Sequence, residues 1–600
     1  MTITSHITLT CTCFGDALSA LLNLTHALYV TRRKSAQDHQ DEPANTRNRG
    51  CDRCRSVMDT SLDQQVWLTT CTGACGVSML KTLSEDGFKV TCFEQRKRVG
   101  GLWAYTDDIT MTSALPSTRA LISKYTCGMT DFPMPEKYPS HLSTDEFQEY
   151  IESYARHFDL LKDIVFGASV QRAIRNQADT KWNLEILVNG EQQTHEFEKV
   201  VFCHGYQTQA VMPTFEGKEL FEGRLMHAQQ FRSTKGLEGK NVVVVGMSSS
   251  ASDIINNVIP IASKVYMSHR RGGYVFPTWR KGVPGDLMVT WRRRQISAFM
   301  QRYLPGVYKW STDTALQLFM RSYWGKLDPE WRILPSPSIT LSLPGASNSL
   351  IPLLREGKIT SVHGIKRFTG PHSLEFNDGT VLEDIGAVIC ATGYTANLGV
   401  APFLEQSRPA DYGGPDLPRL WMNVFPPQYA DSMALLCHSA YGKNNGFSFN
   451  DVQSMAVSNI FRHIHRLPPK TDMNKWVDAH HEWLATQYRQ EPMGFEASAV
   501  KTWEFQQFLH DVAGTGMENL GWGWKGWKFF FQDPKMSWMM NNGVETAHAF
   551  RYFETGKRRT WPGARDAIIK ANEAVKVFPV KDENKAIEAG AFVVERHTAK

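Results

Sequence analysis

The run Asn241-Val242-Val243-Val244-Val245-Gly246-Met247-Ser248-Ser249-Ser250-Ala251-Ser252-Asp253 sets a block of valines against a glycine and a cluster of small residues. A short apolar run bounded by a turn is the pattern of a buried strand. Helical spacing follows from about Ala251 to Val258, and a second strand is expected at Lys264-Val265-Tyr266-Met267-Ser268. Strand, tight turn, helix and strand make a βαβ start. The same order occurs earlier. Val66 to Thr70 forms a buried strand, Val77 to Leu83 has helical spacing, and Lys89 to Glu94 follows the turn at Asp86-Gly87. No short-period repeat accompanies these two units.

Each unit carries a glycine-rich turn between its first strand and its helix. The dinucleotide pattern G-x-G-x-x-G uses its glycines for a tight turn, close approach to a diphosphate, and helix–strand packing. In the first turn Gly73 and Gly76 hold the second and third positions, and Cys71 stands at the first. Glu94 closes the second strand, where a carboxylate accepts from ribose hydroxyls and repels a 2′-phosphate. That predicts FAD. Next comes Val99-Gly100-Gly101-Leu102-Trp103. Its glycines allow a close backbone approach to a ligand, and Trp103 can cover a planar ring. In the second turn Gly246 holds the first position, Ser248 the second and Ala251 the third. The following strand ends at Ser268-His269-Arg270-Arg271. Guanidinium groups fork onto phosphate, so Arg270 and Arg271 predict NADPH. The expected fold class is α/β, with two Rossmann-like dinucleotide-binding domains and an additional, largely helical C-terminal part.

The chain has 600 residues, 42% hydrophobic and 21% charged, with a formal net charge of +5. That length accommodates several domains. The basic residues are scattered, which argues against nucleic-acid binding. Residues 1–60 are expected to be a poorly ordered extension. Within it, Ile7 to Val30 is too polar at its centre for a membrane span, and it lacks the basic start of a signal peptide. Cys51-x-x-Cys54 has no second pair at zinc-finger spacing, so no metal is expected. Residues 61–210 are assigned to the first part of the FAD domain and 211–390 to the NADPH domain, with an Arg-, Trp- and Pro-rich insertion near 279–345. Residues 391–600 return to the FAD domain and add aromatic-rich helices, near 451–466 and 472–489, and a Trp-rich stretch at 520–531 that fits packed surface helices or a lid. A cytoplasmic location is expected, with peripheral membrane association left open.

Residues 66 to about 460 resemble the class B flavin-containing monooxygenases related to N,N-dimethylaniline monooxygenase. The resemblance rests on Phe221-Glu222-Gly223-Arg224-Leu225-Met226-His227-Ala228-Gln229-Gln230-Phe231, which fits that family's F-x-G-x-x-x-H-x-x-x-[Y/F] pattern through Phe221, Gly223, His227 and Phe231. Gly101-Leu102-Trp103 and Ala391-Thr392-Gly393-Tyr394 are similar to further family elements. Thr392 and Gly393 would join the two cofactor domains, and Lys199 to Tyr206 would be the first crossing between them. Baeyer–Villiger relatives end the motif differently from Phe231-Arg232, so the resemblance implies amine or sulfide oxygenation. It implies that NADPH reduces FAD, O2 adds to give a C4a-hydroperoxide, and the substrate's lone pair takes one oxygen atom. His227 is read as a structural or cofactor-contact residue. Ser123-Lys124 and Thr130-Asp131-Phe132-Pro133 are similar to the active-site stretch. The family's asparagine two residues before that serine is Leu121 here, and its side chain donates no hydrogen bond. With Cys71, this leaves open an impaired flavoprotein or NADPH oxidase, alongside a Baeyer–Villiger enzyme or a reductase of the same architecture.

Overall fold

Two five-stranded parallel sheets organise the chain in the computed structural model. The structure describes residues 65–69, 72–342, 344–436, 446–492 and 497–579. The expectations for residues 1–60 and for Cys71 lie outside the described residues.

In the first sheet the strand Gln65–Thr69 is central, flanked by Lys89–Glu94 on one side and Lys199–Phe202 on the other. Ile164–Phe166 and Met433–Leu435 complete its edges. In the second sheet Asn241–Val245 is central, between Lys264–Ser268 and Ile385–Cys390. Thr360–Val362 and Arg224–His227 form its edges. A strand hemmed in on both sides cannot shed its apolar residues to solvent, and Val242, Val243 and Val244 are fully buried. Parallel sheets covered on both faces read as continuous apolar runs. Both glycine-rich turns therefore lie at the C-terminal ends of central strands, the position at which open α/β sheets bind ligands.

The core is shared in an instructive way. Val77, Leu80 and Leu83, on the helix Ala74–Glu85, pack into one cluster with Met455, Ile460, Val512, Met536 and Phe550. The C-terminal helices thus finish the core of the first sheet. The inserted helix Pro305–Trp324 sends Met320 and Trp324 into the core of the second sheet, beside Val244, Ile254 and Leu350. One expected helix ends early. Gly446–Phe461 stops short of 466, because His463 turns into the left-handed region at φ 58°, which closes a helix. The Trp-rich stretch forms the helix Trp524–Gln532. Among the described residues no helix is long and apolar enough to cross a membrane.

Candidate functional site

The two turns share one property. The helix Ala74–Glu85 begins at Gly73, and Ser249–Val258 begins at Ser248; neither has a side-chain cap. A helix N-terminus carries N–H groups without intrahelical partners and a partial positive charge. By contrast, Thr144–His157 has a complete capping box from Ser143 and Glu146. Both uncapped ends are therefore open to an anion such as a diphosphate.

Around the first turn, Glu94 is 3% exposed, not a solvated strand end. Its Oε2 accepts from the Thr72 N–H at 2.6 Å and from Thr72 Oγ1 at 3.0 Å, and its Oε1 accepts from the Arg96 N–H at 2.6 Å. Burial raises its pKa against the opposing pull of those hydrogen bonds and of the Arg96 charge. Gly76 is buried within the helix. The Gly100 N–H donates to the Thr72 carbonyl at 2.7 Å. Gly101 has φ 56°, and a Cβ there would stand 2.8 Å from the Gly73 Cα. The glycine pair therefore lets two loops touch each other at the turn. Trp103 stacks on Phe147 at 4.4 Å, and Leu102 is exposed.

Around the second turn, Gly246 has φ 127°, and a Cβ would lie 2.6 Å from the Ala391 carbonyl oxygen. Only glycine fits there. Ala251 is fully buried. Beyond the second strand Arg270 is exposed, while Arg271 pairs with Glu491. The two arginines are thus unequal: one is free to meet a ligand and the other is already neutralised.

The motif from Phe221 to Phe231 builds the edge strand Arg224–His227 and the turn after it. Phe221 packs on Phe368 at 4.9 Å, and Phe231 is buried. Gly223 is held between the Phe221 ring and the Gly386 carbonyl. His227 Nδ1 accepts from the Gln229 N–H at 3.1 Å, and its ring stands edge-on to Tyr394 at 5.0 Å. Burial lowers its pKa, against a backbone contact with Gly393 that raises it. Tyr394 belongs to the chain crossing. Tyr394 and Thr395 pair with Ala210 and Gln209, Thr392 Oγ1 donates to the Val211 carbonyl at 2.7 Å, and the Val211 N–H donates to Gly393. The two crossings thus hold each other, and the motif histidine rests on them.

Arg232 is the residue that sequence reasoning undervalued. Its guanidinium donates to the carbonyls of Thr106, Gln229, Phe231, Asp108 and Met111 at 2.6–3.1 Å. Arg96 holds the same loop through Ala104 and Thr112. Gln229 Nε2 adds Thr112 Oγ1 and the Thr208 carbonyl. One network therefore joins the first turn, the 104–114 loop, the second sheet and the crossing. Its acceptors are mostly main-chain carbonyls, which leave no trace in sequence.

The stretch resembling an active site divides in two. Ser123 and Thr126 both donate to Asp286 Oδ2 from the insertion. Thr130 and Asp131 instead join a buried ionic cluster with Lys81, Arg551 and Asp451. Leu121 is 43% exposed and lines a cleft with His141, Ser252, Asp253, Ser347 and Asn348. That cleft lies between the two sheets' helices and loops. No spacing rule singles out His141 or Asp286.

The model of the flavin-binding monooxygenase-like family matches residues 66–594. The chain belongs to that family. As a flavin monooxygenase it is an oxidoreductase that uses FAD and NADPH, and it acts on a small molecule with O2. The monooxygenase is 34% identical over 512 residues to monooxygenase aurF of Gibberella zeae, covering 83% of this chain and 96% of that one. It is 28% identical over 537 residues to dimethylaniline monooxygenase (N-oxide-forming) 2 of Rattus norvegicus, covering 87% and 94%. Among solved structures, S-allyl-L-cysteine S-oxygenase from Allium sativum is similar with a TM-score of 0.55 at 17% identity, covering 86% and 99%. A closed cyclohexanone monooxygenase reaches 0.55 at 15%, covering 76% and 98%. The fold of this monooxygenase is therefore shared with an S-oxygenase and a cyclohexanone monooxygenase.

Proposed function

We propose that this monooxygenase transfers one oxygen atom to a soft nucleophile, an amine nitrogen or a sulfide sulfur, with FAD at the first turn and NADPH at the second. The contrast at the two strand ends carries the cofactor assignment. The first ends in buried Glu94, suited to ribose hydroxyls, and the second in exposed Arg270, suited to a 2′-phosphate. Gly73, Gly76 and the uncapped N–H groups of Ala74–Glu85 would hold the flavin diphosphate. Gly246, Ser248, Ala251 and Arg270 would hold NADPH, with Arg271 assisting once released from Glu491. When bound, the nicotinamide supplies hydride and the flavin supplies O2 activation. The protein's part is to orient the two sites through the crossing at Thr392-Gly393, His227 and Arg232, and to exclude water. A similar protein named for N-oxide formation and the Phe231-Arg232 motif end favour the amine and sulfide reading.

The test uses purified full-length chain. A yellow protein is expected, whose flavin is reduced anaerobically faster by NADPH than by NADH. In air it should yield N-oxide from N,N-dimethylaniline and sulfoxide from methyl phenyl sulfide. A colourless protein would sink the flavin assignment, and lactone from cyclohexanone with neither other product would overturn the substrate class.

A further inference from the structure

His141 is 2% exposed, and neither ring nitrogen has a hydrogen-bond partner among the described residues. Buried polar groups are ordinarily paired, so this imidazole stands out. Its neighbours in the cleft wall are already engaged. Ser252 and Ser347 share a hydrogen bond at 2.7 Å, Asp253 accepts from Thr118 at 2.8 Å, and Asn348 donates to Thr278 at 2.6 Å. Asp286 takes Ser123 and Thr126. The ring is placed by Trp279, 5.4 Å between centroids. Burial pulls its pKa down to about 4, against the contrary effect of Asp286 and with a smaller lowering from Arg119. At neutral pH the imidazole is therefore uncharged, with one donor and one acceptor nitrogen. The cleft contributes Leu121, an apolar surface, on the same wall.

We propose that His141 is a specificity-determining residue, which hydrogen-bonds an uncharged hydroxyl or carbonyl group on the organic substrate. Several observations converge on this. The ring is itself buried, in the wall of a largely polar cleft. The ring has no structural bond to give up, and an uncharged donor–acceptor pair matches a neutral oxygen group better than an ammonium or a carboxylate. The cleft also touches helix Ser249–Val258 at Ser252 and Asp253, one turn past the uncapped end proposed for the diphosphate. The inference rests on the oxygenase reading of this cleft, with His141 selecting which molecule enters.

The test compares methyl phenyl sulfide with its para-hydroxy derivative on FAD-loaded wild type, His141→Phe and His141→Asn. Wild type should favour the hydroxylated sulfide by about tenfold in kcat/KM, mainly through KM, as one hydrogen bond provides. His141→Phe should abolish that preference. His141→Asn, which keeps a donor and an acceptor, should restore part of it. Equilibrium binding of both sulfides to the oxidised enzyme with NADP+ is measured in parallel. If wild type forms no sulfoxide, the S-oxygenation reading fails, while the binding ratio still judges His141. Equal binding of the two probes by wild type overturns the proposal. So does an equal loss for both in His141→Phe, or a weakening of NADP+ in place of the phenol.

Discussion

Replacing Arg232 by alanine takes donors from five carbonyls at once: Thr106, Asp108, Met111, Gln229 and Phe231. A hydrogen bond to a charged group contributes about 1.5–3 kcal/mol when measured singly. The five share one side chain, and Asp108 is exposed, so water replaces part of the loss. A net cost of about 2–4 kcal/mol is expected, within the range for breaking a hydrogen-bond network. Lysine keeps the charge but has three donors on a point, so it cannot span carbonyls on both sides of the guanidinium plane. Arg232→Lys should therefore fall nearer alanine than wild type. The structural consequence is local, because Thr106, Asp108 and Met111 lie on the loop that Arg96 also holds. Urea unfolding of the FAD-loaded enzyme should show the stability loss, and limited proteolysis should show earlier cleavage within 104–114. The rate of flavin reduction by NADPH should fall with flavin content unchanged, since the loop joins the two halves. Unchanged stability together with an unchanged cleavage pattern in Arg232→Ala would refute the reasoning.

Three further outcomes follow from the site. Arg270→Ser should reduce kcat/KM for NADPH by about 10–100-fold, as loss of a phosphate-binding guanidinium does, and leave NADH use unchanged; Arg271→Ser should do less, because Glu491 already claims it. Steady-state kinetics with both nucleotides decides this, and equal losses for both would contradict it. Asp253 has its pKa raised to about 6 by burial, against a lowering hydrogen bond from Thr118; a raised acid favours the fold below its unfolded pKa, and that contribution is lost as pH rises through about 6. Asp253→Asn should therefore be more stable than wild type at neutral pH, by up to about 2–3 kcal/mol, with the slope between about pH 4 and 6 removed in urea titrations. Leu121→Asn restores a hydrogen-bonding side chain to the cleft, and it should raise the fraction of NADPH consumption that ends in product over hydrogen peroxide; an unchanged ratio would show that position 121 does not govern coupling.

The strands were legible because parallel strands buried on both faces must be apolar throughout. Lys89–Glu94 and Lys264–Ser268 occupy the residues their patterns indicate. The helix expected from Ala251 begins at Ser249, since small polar residues complete the first turn without altering the apolar spacing. Glu94 draws attention by its place at a strand end. Its hold on Thr72 does not, because that bond depends on how the turn folds back. Gly101 was expected to make room for a ligand, whereas its closest neighbour is Gly73. Arg232 was hidden because carbonyl acceptors exist at every residue. The pairing of Arg271 with Glu491 joins distant parts of the chain, and no local pattern announces it. Thr130-Asp131 illustrates the reverse limit: a recognisable motif places the residues in a family without saying which of them faces the cleft.

The ionic cluster around Asp131 decides how the C-terminal part should be regarded. Lys81 on the first helix is 1% exposed, and it meets both Asp131 and Glu85. Burial alone would push the Asp131 pKa up, but Arg551 and Lys81 together outweigh it and hold the carboxylate below its usual value. Arg551 Nε also donates to Thr130 Oγ1, and that same hydroxyl donates to Asp451. Removing one partner from a buried pair leaves an uncompensated charge, at a cost of about 3–5 kcal/mol. A segment that swung away as a lid would pay that cost at Arg551 and again where Arg558 meets Asp86, in addition to exposing Val512, Met536 and Phe550. The helices after 446 are therefore fixed to the helix that follows the first glycine-rich turn. Any opening that admits substrate must come from elements outside this cluster, and the cleft at Leu121 and His141, walled by Thr278, Ser347 and Asn348, lies outside it.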